Sequence, residues 1–402
     1  MLARLLKLLP CIVLVSTAAH ADSRLRYRIS DVRVVDLGTL GGDESIANDI
    51  NDRGSIVGWS RTSQGVMHAF LYRRGAMEDL IPAATTVSEA RGINTWMQVV
   101  GRKRALNDRA DHGFFWDTLL VPSLYPLDEA YTAPAPGCTT GSVAEAINDT
   151  GRISGTRYGG CPDAAYGRPA LWSSAWVPWL QLDDFTSAPR STFGKDINSE
   201  SAVIIHRHVL DLGLGSLVWV AGGIELVPAP ELPPGWWPHY DYGMWAYGLN
   251  DVGGVVGHVQ VCTGVFPACG TTFTRAFFRN AAEVSSLLPV FPESVSAGAR
   301  EINDQGFSVG WADRARADGW VRHVAVIWHS HFGIYGLPMP PGAETGSGLP
   351  RDFCEANSVN DHAGQSGLVQ AVGYCSIAGK RRAILWNITA KLVNVDPPGT
   401  TP

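Results

Sequence analysis

A hydrophobic residue followed by asparagine recurs seven times: Ile50-Asn51, Ile93-Asn94, Ile147-Asn148, Ile197-Asn198, Leu249-Asn250, Ile302-Asn303 and Val359-Asn360. The intervals run from 43 to 57 residues, the period of a repeated supersecondary unit. Asp follows the Asn in five units (Asp52, Asp149, Asp251, Asp304, Asp361), and Gly54, Gly151, Gly253 and Gly306 stand three residues after it. Asn-Asp-x-Gly predicts a tight turn, with side-chain oxygens capping local amides and glycine accepting a positive φ. Units two and four depart from it, with Thr95-Trp96 and Ser199-Glu200.

Beyond each turn a short β-branched run predicts a strand, as in Ile56-Val57-Gly58, Val99-Val100-Gly101 and Val255-Val256-Gly257. After a variable loop comes a nearly continuous apolar segment, as in His68-Ala69-Phe70-Leu71-Tyr72, Arg168-Pro169-Ala170-Leu171-Trp172 and Arg382-Ala383-Ile384-Leu385-Trp386. Such runs predict strands covered on both faces. A fourth segment closes the unit, for example Ala76–Leu80, Ala175–Leu180, Gly223–Val227 and Lys391–Val395.

Four short strands in about 50 residues make one propeller blade, and radial closure removes exposed sheet edges. The expected fold is therefore all-β, a seven-bladed β-propeller with four-stranded blades, forming a single domain over residues 22–402. An open solenoid is the alternative, but it requires capping units that the sequence lacks. Val32–Leu37 reads as an eighth closing segment, expected to join the last blade and lock the ring.

Asp36-Leu37-Gly38-Thr39-Leu40-Gly41-Gly42, then Ile50-Asn51-Asp52-x-Gly54, Ile56-Val57-Gly58 and His68-Ala69-Phe70-Leu71-Tyr72, resembles the HAF repeat, a bacterial family of extracellular repeats. Unit one matches closely and the others in outline, so the resemblance spans nearly all of the mature chain. It implies secretion and repetition, and supplies no catalytic residue.

Residues 1–21 carry a basic start (Arg4, Lys7), an apolar stretch and Ala19-His20-Ala21, which predicts a secretory signal and a secreted or periplasmic location. Leu8-Leu9-Pro10-Cys11 is a poor lipoprotein box because Pro10 occupies a small-residue position. The chain is mildly acidic, with formal net charge −6, so neither nucleic acid nor membrane insertion is expected. Six cysteines would remain after cleavage. Cys138 and Cys161 fall in unit three, Cys262 and Cys269 in unit five, and Cys354 and Cys375 in unit seven, predicting one disulfide within each. No CxxC or Cys/His cluster stands out, and no metal or cofactor is expected.

The histidine of unit one has no fixed counterpart: His68, His112, Arg168, Gly215, Arg275, Val324 and Arg382 occupy that column. Imidazole chemistry cannot run on such a set, so a structural role is expected. The five aspartates suggest turn caps rather than a calcium ring, since calcium draws its oxygens together in one loop. Trp116, Trp172, Trp219, Trp328 and Trp386 read as packing between blades.

The least repeat-like segment is Pro233–Trp245, whose Trp236, Trp237, His239, Tyr240, Tyr242 and Trp245 are the candidate ligand contacts. Plugging the channel is the competing role for them. Asp183, Asp184, Arg190, Glu344, Arg351 and Asp352 enter the same face, where a hydrolase or lyase would need two carboxylates close together. No established catalytic motif appears, and no catalytic residue is assigned. The expectation is a monomeric binding or scaffold module for a glycan, peptide or protein, with a polysaccharide hydrolase or lyase as the second possibility.

Overall fold

Each repeat folds as one antiparallel sheet, and seven such sheets stand around a common axis. The structure is a computed structural model. It describes residues 25–394 except 118–122, 128–138, 161–165, 174–179, 183–191, 208–214, 221, 240–242, 265–268, 293, 295, 316–320, 342, 344–352, 362–366 and 378. The signal segment and the Cys138/Cys161 pair lie outside the described residues.

Blade 1 shows the plan: Gly41–Ile50 lies innermost, then Ile56–Thr62, Met67–Arg73 and Ala76–Asp79 outermost. Seven hydrophobic clusters fill the seven gaps between blades. One joins Val57 and Leu71 of blade 1 to Val99 and Phe114 of blade 2. Another joins Val372 and Leu385 of blade 7 to Ile50 and Ile56 of blade 1. That last cluster decides between ring and solenoid, because a stack with free ends would leave both faces wet. The tryptophan column packs in these gaps, and Trp172, Trp328 and Trp386 donate their indole N–H to Leu127, Pro289 and Pro338 carbonyls of the preceding blade.

The N-terminal strand closes the ring as expected. Leu25–Asp36 pairs antiparallel with Lys380–Asn394 as the outermost strand of blade 7, with Val34 opposite Trp386. The expected separate fourth strand at Lys391–Val395 is corrected: through Asn394 it continues the third strand, because the N-terminal strand already fills the outer place.

Both departing turns form. Gly54, Gly151, Gly253 and Gly306 have positive φ, and Met97 and Ser201 adopt the same left-handed backbone in units two and four. The turn asparagine makes this tolerable by accepting two amides, as when Asn94 Oδ1 takes Trp96 and Gln98 N–H at 3.1 and 3.0 Å. The aspartates act differently from the expected local caps. Asp149, Asp251, Asp304, Asp361 and Asp52 accept backbone N–H groups of Thr95, Ser199, Asp251, Asp304 and Asp361, bracing each blade against its neighbour.

Two disulfides form, Cys262–Cys269 and Cys354–Cys375, as an oxidising compartment permits. The first pinches the loop between the second and third strands of blade 5. The second joins directly opposed residues of two strands, so these cysteines sit inside the strands and not in the flanking loops. Among the described residues no helix is long and apolar enough to cross a membrane.

Candidate functional site

Every innermost strand carries a β-bulge just before its hydrophobic–Asn pair. The register slips between Ala47 and Asp49, Ala90 and Gly92, Ala144 and Ala146, Ala246 and Gly248, Ala299 and Glu301, and Ala356 and Ser358. A bulge re-aims the extra side chain, and here Asn48, Arg91, Glu145, Tyr247, Arg300 and Asn357 turn toward the axis, joined by Lys195 of blade 4. The bulge needs room behind it. At Gly58, Gly101, Gly155, Gly257, Gly310 and Gly373 an added methyl would collide with the inner strand's carbonyl oxygen. Blade 4 exchanges the pair, placing Gly194 in the alanine column and Ile205 in the glycine column, and its register slips further, from Gly194 to Ile197.

These seven side chains line an upper cavity of about 310 Å³ on the axis. Its charges are paired in two networks. In one, Arg91 bridges Glu89 and Glu145, Lys195 meets Glu145 at 3.0 Å, and Arg102 meets Glu89 at 2.8 Å. Burial opposes ionisation of Glu145, but Lys195 and Arg91 outweigh it and hold the carboxyl below its usual range. In the other, Arg300 and His323 meet Glu355 at 3.3 and 3.4 Å. The Arg300 guanidinium lies 4.9 Å over the Tyr247 ring. Behind Tyr247, His206 and His258 pack with ring centroids 5.5 and 5.2 Å from its own, and burial pushes them down to about 4 and about 3, leaving neutral imidazoles.

The next residue inward changes the chemistry. Asp49, Asp196 and Glu301 form a waist shared with a lower cavity of about 200 Å³. That lower cavity is lined by carboxylates, including Asp52, Asp251, Asp304 and Asp361, and among the described residues by no Lys, Arg or His. Asp49 is tied by Ile50 and Ile93 N–H and by the Ser358 hydroxyl, and Asp196 by Leu249 N–H. Burial pushes Asp196 up to about 6 and raises Glu301, each reinforced by a neighbouring carboxylate. Burial, and then Asp304, push Asp361 up to about 7 despite the hydrogen bond from Asp304 N–H.

The Pro233–Trp245 segment is built into the blade. Trp236–Pro238 pairs with Val261–Thr263, and Met244–Leu249 pairs with Val255–Val259, so the innermost position of blade 5 holds two strands around an interruption. The second strand of blade 5 runs nine residues, Val255–Thr263, long enough to pair with both inner strands and to carry Cys262. Trp236 packs edge-on against Phe273 at 4.6 Å, with Arg275 5.3 Å over its ring. Trp237 and His239 are half-buried, and Trp245 meets His206 at 4.8 Å. None of the described aromatics in this segment lines either axial cavity. Tyr240 and Tyr242 lie outside the described residues, as do Asp183, Asp184, Arg190, Glu344, Arg351 and Asp352.

The histidine of unit one is structural, as expected: buried His68 Nδ1 lies 2.7 Å from Asp79 in its own blade. What sequence reasoning missed is the bulge column. Its signal is a position three residues before each Asn that takes almost any polar residue, next to a nearly constant alanine.

No family model and no curated protein matches the chain. Solved structures do. A six-bladed β-propeller lectin of Aleuria aurantia, described by its fucose recognition, is 10% identical over 79% of this chain and 99% of that chain, with TM-score 0.35. YCF48 bound to D1 peptide is 12% identical over 93% and 98%, with TM-score 0.42. A prolyl endopeptidase is 10% identical over 90% and 52%, with TM-score 0.49, so the chain spans about half that enzyme's length. Identities this low concern architecture and say nothing of ligands.

Proposed function

We propose that this chain is an exported binding module of the HAF-repeat kind that takes a polar ligand, part of a glycan or peptide, into the upper cavity from the face bearing Cys262–Cys269. One observation carries the reading. Asn48, Arg91, Glu145, Lys195, Tyr247, Arg300 and Asn357 vary from blade to blade, while the alanine before them and the hydrophobic–Asn pair after them hardly do. Positions that serve the ring recur; variation on a rigid scaffold is where recognition resides. Paired charges offer donors and acceptors together, which suits hydroxyls and amides better than a simple ion. In this reading Trp236, Trp237, His239, Tyr240, Tyr242 and Trp245 remain candidate ligand contacts beside those of the cavity.

The test is a glycan and peptide array, followed by titration of the best ligand. Arg300→Ala and Lys195→Ala should each weaken binding about tenfold or more, roughly 1.4 kcal/mol, measured well below the melting temperature of each variant, since each loses an ion-pair partner. A ligand indifferent to both would place recognition elsewhere.

Asp196 and Glu301, whose shared waist favours one proton between neighbouring acids, support a second reading as a polysaccharide hydrolase or lyase. It requires Glu301→Gln to abolish product release while leaving ligand affinity intact.

A further inference from the structure

The Cys262–Cys269 disulfide has an imidazole beside it. His239 lies on the strand-one side of blade 5, its backbone N–H held by the Gln260 carbonyl at 2.9 Å. Its ring reaches the two sulfurs: one ligand atom from each of His239, Cys262 and Cys269 lies within 4.8 Å of the others. The sulfurs are unequal. Cys262 is 1% exposed, while Cys269 stands at the surface with the Thr272 hydroxyl 3.2 Å from its Sγ. In a tetrahedral zinc site, bonds of about 2.3 Å to sulfur and 2.0 Å to nitrogen place ligand atoms roughly 3.5–4 Å apart. Opening the disulfide lets the sulfurs separate toward that spacing, and His239 needs to approach by only about an ångström.

We propose that reduction of Cys262–Cys269 converts this corner of blade 5 into a zinc site, with both thiolates and His239 as three ligands and water as the fourth. The reductant is a dithiol. Its thiolate attacks the accessible Cys269 Sγ, the S–S bond breaks, and Cys262 leaves as a thiolate. The second thiol of the reductant then displaces Cys269, closing the reductant's own disulfide, so two electrons pass to the protein. Zinc holds both sulfurs as thiolates, and the protons of the dithiol go to solvent. The consequence is mechanical. Trp237 lies directly opposite Cys262 across the strand pair, and a metal held by His239 and both thiolates ties this segment to the second strand, a link that the disulfide, joining only Cys262 to Cys269, does not make.

Cobalt(II) serves as the spectroscopic probe and zinc as its competitor, on the folded full chain reduced with a phosphine. Mass mapping of alkylated thiols should find Cys262 and Cys269 labelled after reduction, with Cys354 and Cys375, both fully buried, protected. The reduced protein should bind one equivalent of cobalt with thiolate charge-transfer and tetrahedral visible bands, bleached by zinc, and zinc should restore the melting temperature lost on reduction. The oxidised protein should give no such bands. His239→Ala keeps the disulfide and should weaken cobalt binding about tenfold or more; Cys269→Ser should abolish the thiolate band pattern. Bands of equal strength and affinity in His239→Ala, six-coordinate cobalt only, or a disulfide that reduces solely on global unfolding would each overturn the proposal.

Discussion

The side-chain amide of Asn51 donates to the carbonyl oxygen of Asn94 at 2.8 Å, from the turn of one blade to the turn of the next. The same bond runs from Asn94 to Asn148, Asn148 to Asn198, Asn198 to Asn250, Asn250 to Asn303 and Asn303 to Asn360. At the seam Asn360 turns to Gln370 instead, and the Asp361 amide bonded to Asp52 continues the circle. One residue type thus shapes the turn with its oxygen and registers the neighbouring blade with its nitrogen.

Asn250→Ala removes both functions at a site 5% exposed: the donation to Asn303 and the acceptance of Gly254 N–H at 2.6 Å. Losing buried hydrogen bonds of this kind should cost about 2–4 kcal/mol. Urea denaturation should show a lower midpoint at unchanged slope.

Gly257→Ala places a methyl against the Trp245 carbonyl oxygen, so the bulge that presents Tyr247 must shift. The expected cost is about 2–4 kcal/mol, together with weakened binding of any upper-cavity ligand. Gly159→Ala is the control: among the described residues a methyl there meets nothing within 4 Å, and melting should be unchanged.

Asp361→Asn should make the protein less sensitive to alkali. In the folded state this carboxyl holds its proton up to about 7, whereas in the unfolded chain it ionises near 4. The folded form therefore binds more protons, and its contribution to stability is full below about pH 4 and lost as pH rises through 7. The amide keeps the acceptor for Asp304 N–H without the charge. It should stabilise by about 1–2 kcal/mol at pH 8 and by almost nothing at pH 4, read from melting curves across that range.

The period, the turn chemistry and the blade count were legible because residues serving the ring recur: the Asn column, the Gly of the second strand, the buried Trp. Two of the expected disulfides within single blades, Cys262–Cys269 and Cys354–Cys375, followed from the same map. What escaped was whatever a repeat does not repeat. Asn48, Arg91, Glu145 and Lys195 share a bulge but no side-chain chemistry, so no column announces them. The continuation through Lys391–Asn394 looked like a fourth strand because its outer partner lies more than 350 residues away in Leu25–Asp36. The packing of Trp236 against Phe273 and Arg275 was not legible, because those partners sit on a strand that local pattern cannot align with it.

The pairing of Leu25–Asp36 with Lys380–Asn394 also sets an order of events in the cell. Leu25–Asp36 must wait for its partner Lys380–Asn394, and contacts so distant along the chain form slowly. Until Lys380–Asn394 has been made the circle cannot be sealed, and anything held on its axis is held only by a closed ring.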